Sequence, residues 1–80
     1  MALYKHYVDV VLVQRRSGRT EPLYLCWEDG KKYRIDRILS AETRASSVGG
    51  CGMRYLCMIK GRERSLYREQ ERWFLESHRP

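Results

Sequence analysis

The sequence predicts a mainly β protein: a small antiparallel barrel or strongly curved sheet of five to six strands, of the SH3-like or split-barrel type. Three observations carry this prediction. Apolar and polar residues alternate in several short runs, as they do in half-buried strands. Turn signals, most of them containing glycine, separate these runs. The chain has only 80 residues, of which 42% are hydrophobic, which suits one compact core.

We therefore expect a single domain over residues 1–80, built in three parts. Residues 3–39 contain three runs of alternation and are predicted to form a three-stranded meander. Residues 40–52 lose this periodicity and are predicted to be a connection rich in glycine and serine. Residues 53–77 are predicted to form a hairpin followed by a closing strand.

The first predicted hairpin turns at Ser17-Gly18, a dipeptide typical of a two-residue turn. This register places Val10 opposite Leu25 and Leu12 opposite Leu23, and it keeps one face of the sheet continuously apolar. The expected core face of the meander consists of Val8, Val10, Leu12, Leu23, Leu25, Trp27, Tyr33 and Ile35.

The second predicted turn is Glu28–Gly30, for which two geometries are possible. A two-residue Asp-Gly turn would break the apolar face, whereas a three-residue loop with a left-handed glycine pairs Leu25 with Tyr33 and preserves it. We therefore prefer the three-residue loop. After this strand, Ile38 and Leu39 interrupt strict alternation, which predicts a bulge or bend.

The second block is predicted to turn at Gly61-Arg62, which would pair Cys57 with Leu66. The apolar run at residues 73–75 suits a short closing strand. A helix is the alternative for the tail, because Ser65 could cap one. Four later residues also have helical spacing: Leu66, Gln70, Trp73 and Phe74. We prefer the strand and leave a short C-terminal helix open.

The charge and cysteine content indicate a reduced, basic protein. The formal net charge is +6, and the basic residues are spread along the chain, most of them as arginine. The longest apolar run, residues 8–13, is interrupted by Asp9 and is far shorter than the ~20 residues needed to cross a bilayer. Three cysteines suit free thiols better than a disulfide framework. We expect a cytoplasmic protein with no membrane partner.

No set of residues predicts catalysis, a metal or a cofactor. His6 and His78 lie near opposite ends of the chain and complete no zinc-ligand spacing with the cysteines. Cys26 and Cys57 lie within apolar alternation, where a free cysteine acts as a small hydrophobe. We therefore expect that the protein is not an enzyme and has no catalytic residue, metal or cofactor.

The glycine-rich segment is the one loop with a pattern that could bind a ligand or partner, because consecutive backbone amides there could form an anion-binding nest. It lacks the lysine and serine or threonine that end a P-loop. The candidate residues of this loop are Gly49, Gly50, Cys51 and Gly52.

Two surfaces are predicted to carry function. Arginines combined with tyrosines on a small barrel are typical of modules that bind single-stranded nucleic acid. The candidate nucleic-acid residues are Lys32, Arg34, Arg62, Arg64, Tyr67 and Arg68. On the reverse of the first sheet, the candidate protein-interaction patch consists of Val11, Val13 and Tyr24.

We expect a non-enzymatic binding module that acts through its surface, first by protein interaction and alternatively by weak, salt-sensitive nucleic-acid binding. The sequence does not identify the partner or the oligomeric state.

Three segments resemble a known group of sequences. They are Trp27–Leu39, Gly49–Gly61 and Arg72–Glu76. Together they resemble short proteins of unknown function from Gram-positive gut bacteria, often encoded on plasmids or conjugative elements. The pattern Trp-x-x-Gly-x-x-Tyr-x-Ile-x-x-Ile-Leu in the first segment is more loosely similar to small actinobacterial domains of unknown function. The resemblance implies a strand rather than a helix at the third segment, and an accessory role on mobile elements with a nucleic-acid or protein partner.

Overall fold

The computed structural model describes residues 3–45 and 51–77, and every regular element among them is a β-strand. Seven antiparallel strands form one sheet in the order β3-β2-β1-β7-β6-β5-β4. The strands are β1 (Tyr4–Gln14), β2 (Thr20–Cys26), β3 (Lys32–Arg34), β4 (Arg37–Ala45), β5 (Cys51–Ile59), β6 (Arg62–Glu69) and β7 (Arg72–Ser77).

The sheet curls into a half-barrel because the chain passes directly from one of its edges to the other. Strands β3 and β4 are the two edges, and only Ile35 and Asp36 separate them. The Ile35 N–H donates to the Leu23 carbonyl oxygen (2.9 Å), and the Asp36 N–H donates to the Met58 carbonyl oxygen (2.9 Å). These two bonds tie the edges together at one corner, so the predicted fold class is confirmed with seven strands instead of five or six.

The helical alternative for the tail is wrong. Residues 62–69 and 72–77 are strands β6 and β7, paired through Tyr67 with Phe74 and Arg68 with Trp73. Among residues 3–45 and 51–77 the structure contains no helix, and hence no helical segment that could span a bilayer.

The first hairpin differs from its predicted register near the turn. Val10 lies opposite Leu25 as predicted, but a bulge at Leu23 places Leu12 opposite Pro22. The turn is not a two-residue Ser17-Gly18 turn. Instead the Gly18 N–H donates to Arg15, and Gly18 adopts a left-handed conformation (φ 94°). The turn is longer than predicted by one residue, and the bulge at Leu23 restores the predicted register from Val11 onwards. Leu12 and Leu23, which were predicted in the core, are therefore exposed.

The second turn matches the preferred three-residue loop. Gly30 is left-handed (φ 85°), the Trp27 N–H donates to the Lys31 carbonyl oxygen, and Leu25 pairs with Tyr33. These observations confirm the prediction of the three-residue loop, which was preferred because it keeps Tyr33 on the core face.

The predicted connection at residues 40–52 is largely strand. Residues 40–45 belong to β4, residues 51–52 begin β5, and the two strands pair from Arg37–Met58 to Ala45–Cys51. The bulge predicted around Leu39 is confirmed, since the register shifts between Ile38 and Ser40. Residues 46–50, and with them Gly49 and Gly50, lie outside the described residues.

The third hairpin turns one residue earlier than predicted. Lys60 and Gly61, both with positive φ (51° and 74°), form the turn, and Ile59 pairs with Arg62. Leu66 therefore lies opposite Tyr55, not Cys57. The register moves by two residues, so every side chain stays on its predicted face.

The core fills the concave side of the half-barrel, which we call the inner face. Its buried cluster consists of Leu25, Ile35, Tyr55, Cys57, Ile59, Leu66 and Trp73. Val8, Val10, Trp27 and Tyr33 from the predicted core face pack against this cluster. The opposite, outer face has a second small cluster, in which Phe74 is 1% exposed between Tyr7 and Tyr67.

Candidate nucleic-acid interface

A groove of about 490 Å³ opens at one end of the inner face, between the β2–β3 hairpin and the β5–β6 hairpin. We call it the inner groove. It is lined by Leu25, Trp27, Tyr33, Ile59, Lys60, Arg62, Arg64 and Leu75. Apolar residues form most of its wall, and its three cations come from one hairpin. The groove exists because the sheet curls, which brings these two distant hairpins to face each other.

Aromatic side chains form one wall of the inner groove. Trp27 is stacked on His6, with ring centroids 4.5 Å apart and planes 9° apart. The Lys60 ammonium lies 4.9 Å from the centre of the Tyr33 ring, a distance at which a cation is attracted to a ring face. Both Trp27 and Tyr33 are half-buried. The contacts with His6 and Lys60 support the two rings in the wall of the groove.

Two unpaired arginines form the other wall. Arg62 lies opposite Ile59, and Arg64 lies opposite Cys57. Residues directly opposite in a sheet share a face, so both arginines project from the inner face. Within residues 3–45 and 51–77, neither guanidinium has an ion-pair or hydrogen-bond partner, and both residues are exposed. Their charge is therefore available to an external anion.

Several cations outside the groove form ion pairs with carboxylates, unlike Arg62 and Arg64. Lys5 contacts Glu69 at 3.0 Å, Arg15 contacts Glu21 at 3.2 Å, and Arg54 shares Glu42 with Arg44. These pairs lie on exposed or half-buried surface, where such contacts contribute little to stability. Lys32, Arg34 and Arg37 have no ion-pair partner among the described residues either, so what distinguishes the groove arginines is their position in the inner groove.

The six predicted nucleic-acid residues do not form one patch. Arg62 and Arg64 line the inner groove, while Arg68 lies further along the same face, with its Nε donating to the Gln70 carbonyl oxygen and its guanidinium 5.7 Å from the Trp73 ring. The remaining members lie on the outer face, as their cross-strand partners show. They are Lys32 opposite Cys26, Arg34 opposite Tyr24, and Tyr67 opposite Arg54.

Tyr67 is not available for stacking on a base. Its side chain is buried against Phe74, and its hydroxyl donates to Glu76 Oε1 at 2.9 Å. Burial, followed by the hydrogen bond to the Glu76 carboxylate and its charge, raises the pKa of Tyr67. Its role is to hold the outer aromatic cluster together.

Sequence reasoning missed Trp27, Tyr33 and Lys60 as members of the site. The first two were assigned to the core because of their alternation, and the predicted Gly61-Arg62 turn left Lys60 in the preceding strand, outside the turn. The groove is bounded by residues about 30 positions apart in the chain, so no local pattern marks it. A type I′ reading of Lys60-Gly61 would have shown that Lys60 lies at the hairpin tip.

The predicted interaction patch is partly exposed on the outer face. Val11 and Tyr24 pair across β1 and β2 and are 40% and 39% exposed, while Val13 is half-buried. Arg34 lies next to Tyr24 on the adjoining strand. The patch therefore lies on the opposite side of the sheet from the inner groove.

The candidate glycine-rich loop is only partly described. Cys51 begins β5 opposite Ala45, and Gly52 pairs with Arg44. A Cβ atom at position 52 would collide with the backbone of Arg68 on β6. This close approach gives Gly52 a structural reason to be glycine.

The described cysteines show no metal or redox arrangement. Cys57 is fully buried, and this burial raises the pKa of its thiol to about 11. Cys26 is a free, half-buried thiol. Among the side chains that the structure describes, there is no cluster of three or more His, Cys, Asp or Glu residues that could hold a metal ion.

The fold and its surface define a small all-antiparallel half-barrel with an aromatic, basic groove. Comparisons of this chain with protein-family models, with curated proteins and with solved structures find no match.

Proposed function

We propose that the protein binds single-stranded nucleic acid in the inner groove. The observation that carries this proposal is the placement of two unpaired arginines, Arg62 and Arg64, across a groove from Trp27 and Tyr33. Single-strand binding requires both elements: cations that follow the phosphates and aromatic or apolar surface that contacts the bases. The net charge of +6 adds a general attraction for polyanions.

Each wall of the groove has its own role in this mechanism. Arg62 and Arg64 contact phosphate oxygens, for which the planar guanidinium is well suited. Lys60, at the hairpin tip, neutralises a neighbouring phosphate. The aromatic wall and the apolar floor contact the faces of unpaired bases, which a duplex would keep stacked. We therefore expect binding to favour single strands and to weaken steeply as salt is added.

The test is fluorescence anisotropy with a labelled single-stranded oligonucleotide at low and moderate salt. The double variant Arg62→Gln/Arg64→Gln removes the groove cations and should weaken binding by about tenfold or more. The matched control is Lys32→Gln/Arg34→Gln, which removes the same formal charge from the outer face. We expect the control to weaken binding by about threefold or less, because it changes only the long-range field.

Three outcomes would overturn the proposal. The first is no binding by the unmodified protein at low salt. The second is an equal loss in both double variants, which would indicate attraction by net charge alone. The third is a larger loss in the control, which would place the site on the outer face. A separate test of the aromatic wall is Tyr33→Leu, which should weaken binding while leaving the salt dependence unchanged.

A protein partner on the outer face would not compete for this site. Val11 and Tyr24 lie on the reverse of the sheet from the groove. The two expected surface activities can therefore be measured independently.

A further inference from the structure

The second half of β1 has one side that no described strand covers. The ladder between β1 and β7 ends at Val8 and Trp73, whereas β1 continues to Gln14. Beyond Val8, residues 9–14 pair only with β2 in the described part of the chain. A groove of about 580 Å³ lies beside this stretch, between it and the turn from β6 to β7. We call residues 9–14 the open edge.

The backbone of the open edge is oriented for pairing. Leu12 lies opposite Pro22, and a proline has no N–H to give to a neighbouring strand. Leu12 and Pro22 therefore form a non-hydrogen-bonded pair, in which the N–H and C=O of Leu12 point away from β2. Because this orientation alternates along a strand, the groups of Gln14 point to the same open side. These donors and acceptors are available to another strand.

The side chains of the open edge do not protect it from pairing. Its sequence is Asp-Val-Val-Leu-Val-Gln, with none of the lysines or prolines that block exposed edges in natural sheets. Val11 is 40% exposed and Leu12 is 37% exposed. A long apolar edge of this kind is where another strand adds to a sheet.

We propose that the open edge pairs with the same edge of a second copy of this chain, as an antiparallel two-fold dimer centred on Leu12. The charges at its two ends favour a second copy as the occupant. Asp9 and Glu71 lie at one end, where the one neighbouring cation in the groove lining, Arg72, has its guanidinium over the Tyr7 ring at 3.6 Å; neither carboxylate has an ion-pair partner among the described residues, while Arg15 and Arg16 lie at the other end in the hairpin turn. Antiparallel pairing brings the acidic end of each copy to the basic end of the other.

A two-fold axis restricts the register to alignments centred on a residue, and Leu12 is the residue with outward-facing backbone groups nearest the middle of the open edge. An axis perpendicular to the sheet must pass through a residue position, because only then do both copies keep matching faces. With the axis at Leu12, the two Leu12 residues face each other and Val11 faces Val13 of the second copy. Asp9 then lies at the end of the paired stretch, near its own Arg72 and near Arg15 of the second copy, whose guanidinium also contacts Glu21 within its own hairpin. The predicted interaction patch residues Val11 and Val13 thus become dimer contacts.

The first test is sedimentation velocity of the full chain over a wide concentration range. We expect a concentration-dependent dimer. Leu12→Lys places two like charges opposite each other on the axis and should raise the concentration needed for dimerisation by about tenfold or more. Leu39→Lys is the matched control, since Leu39 is also 37% exposed but lies on β4. It should leave dimerisation unchanged.

A charge exchange tests the register. Asp9→Lys and Arg15→Glu should each weaken the dimer, and the two together should restore it, because the opposite charges lie near each other again. Hydrogen exchange gives an independent readout. Protection at the Leu12 and Gln14 amides should rise with protein concentration, whereas the Val13 amide, which faces β2, should be protected at all concentrations. Circular dichroism of each variant shows that its monomer is folded.

Several results would overturn the inference: a monomer at every concentration, a dimer that Leu12→Lys leaves intact, or a dimer lost in Leu39→Lys, which would place the contact on β4. Failure of the charge exchange to restore the dimer would overturn the register centred on Leu12. Oligonucleotide binding by the Leu12→Lys monomer is measured separately, so the two proposals can fail independently.

Discussion

The close approach of two backbones at Gly52 provides the sharpest stability prediction. Replacing glycine by alanine within a strand normally stabilises a protein by roughly 0.5–1 kcal/mol, because the unfolded chain loses freedom. At Gly52 the added Cβ would instead meet the carbonyl group of Arg68, which belongs to the β6 backbone and cannot rotate away. The two strands must separate locally, which is an overpacking cost of about 1–3 kcal/mol. After the roughly 0.5–1 kcal/mol gained from the unfolded chain is subtracted, we expect Gly52→Ala to destabilise the protein by about 1 kcal/mol.

For a domain of this size, each 1 kcal/mol shifts the melting temperature by roughly 4–8 °C, so Gly52→Ala should lower it by about 6 °C. Thermal unfolding followed by circular dichroism measures this change. Gly52→Val should lower it further, because a larger side chain increases the collision. An unchanged or raised melting temperature in Gly52→Ala would refute the reasoning, and loss of oligonucleotide binding by the folded variant would assign position 52 to the site instead.

Two further predictions concern strain and pH. Gln70 adopts a left-handed φ of 56° in the β6–β7 turn, so Gln70→Gly should raise the free energy of unfolding by about 0.5–1 kcal/mol; a lower urea midpoint would contradict this. The Cys57 thiol has its pKa raised from 9.0 to about 11 by burial, so the stability tied to its protonated form is complete below pH 9 and is lost as pH rises towards 11. This amounts to about 2–3 kcal/mol, and Cys57→Val should flatten the fall in urea stability over that interval; an equal fall in both proteins would show that other groups cause it.

A register was predicted correctly where the alternative turn would have moved apolar side chains off the core face. The Glu28–Gly30 loop was predicted correctly because its alternative would have moved Tyr33 away from the core. At Lys60-Gly61 the two possible turns differ by two residues in register and leave every side chain on the same face, so periodicity could not separate them. At the first hairpin, the bulge at Leu23 compensated for a longer turn, and local alternation gives no sign of such a pair of changes.

Residues 40–45 were missed as a strand for a different physical reason. Strand β4 is an edge, and its residues from Leu39 to Arg44 are exposed. A strand without a buried side has no reason to alternate apolar and polar residues, so Ser40, Ala41 and Glu42 lack the pattern used to recognise strands. Strand β4 is defined by its pairing with β5, and the composition of residues 40–45 alone does not predict that pairing.

The candidate site also depends on contacts between distant parts of the chain, which local sequence patterns do not reveal. Arg62 and Arg64 were predicted as binding residues because basic residues alternate along the return strand of a hairpin. Lys32 and Arg34 were chosen because they share the non-core face of the third strand, and β3 does place them there, on the opposite side of the sheet from Arg62 and Arg64. Which basic residues share a surface depends on how the sheet curls, and that depends on the corner at Ile35 and Asp36, which no local pattern predicts.

Incomplete closure of the barrel accounts for both proposed surfaces. A closed barrel has no free edges, and an eight-stranded interior is just filled by side chains. Here β7 begins at Arg72, level with the middle of β1, so the open edge of β1 is uncovered. The sheet remains open around the inner groove as well, where Trp27 and Arg64 lie on facing hairpins. A strand added at the open edge extends the sheet without filling the groove, so dimerisation and ligand binding are compatible within one fold.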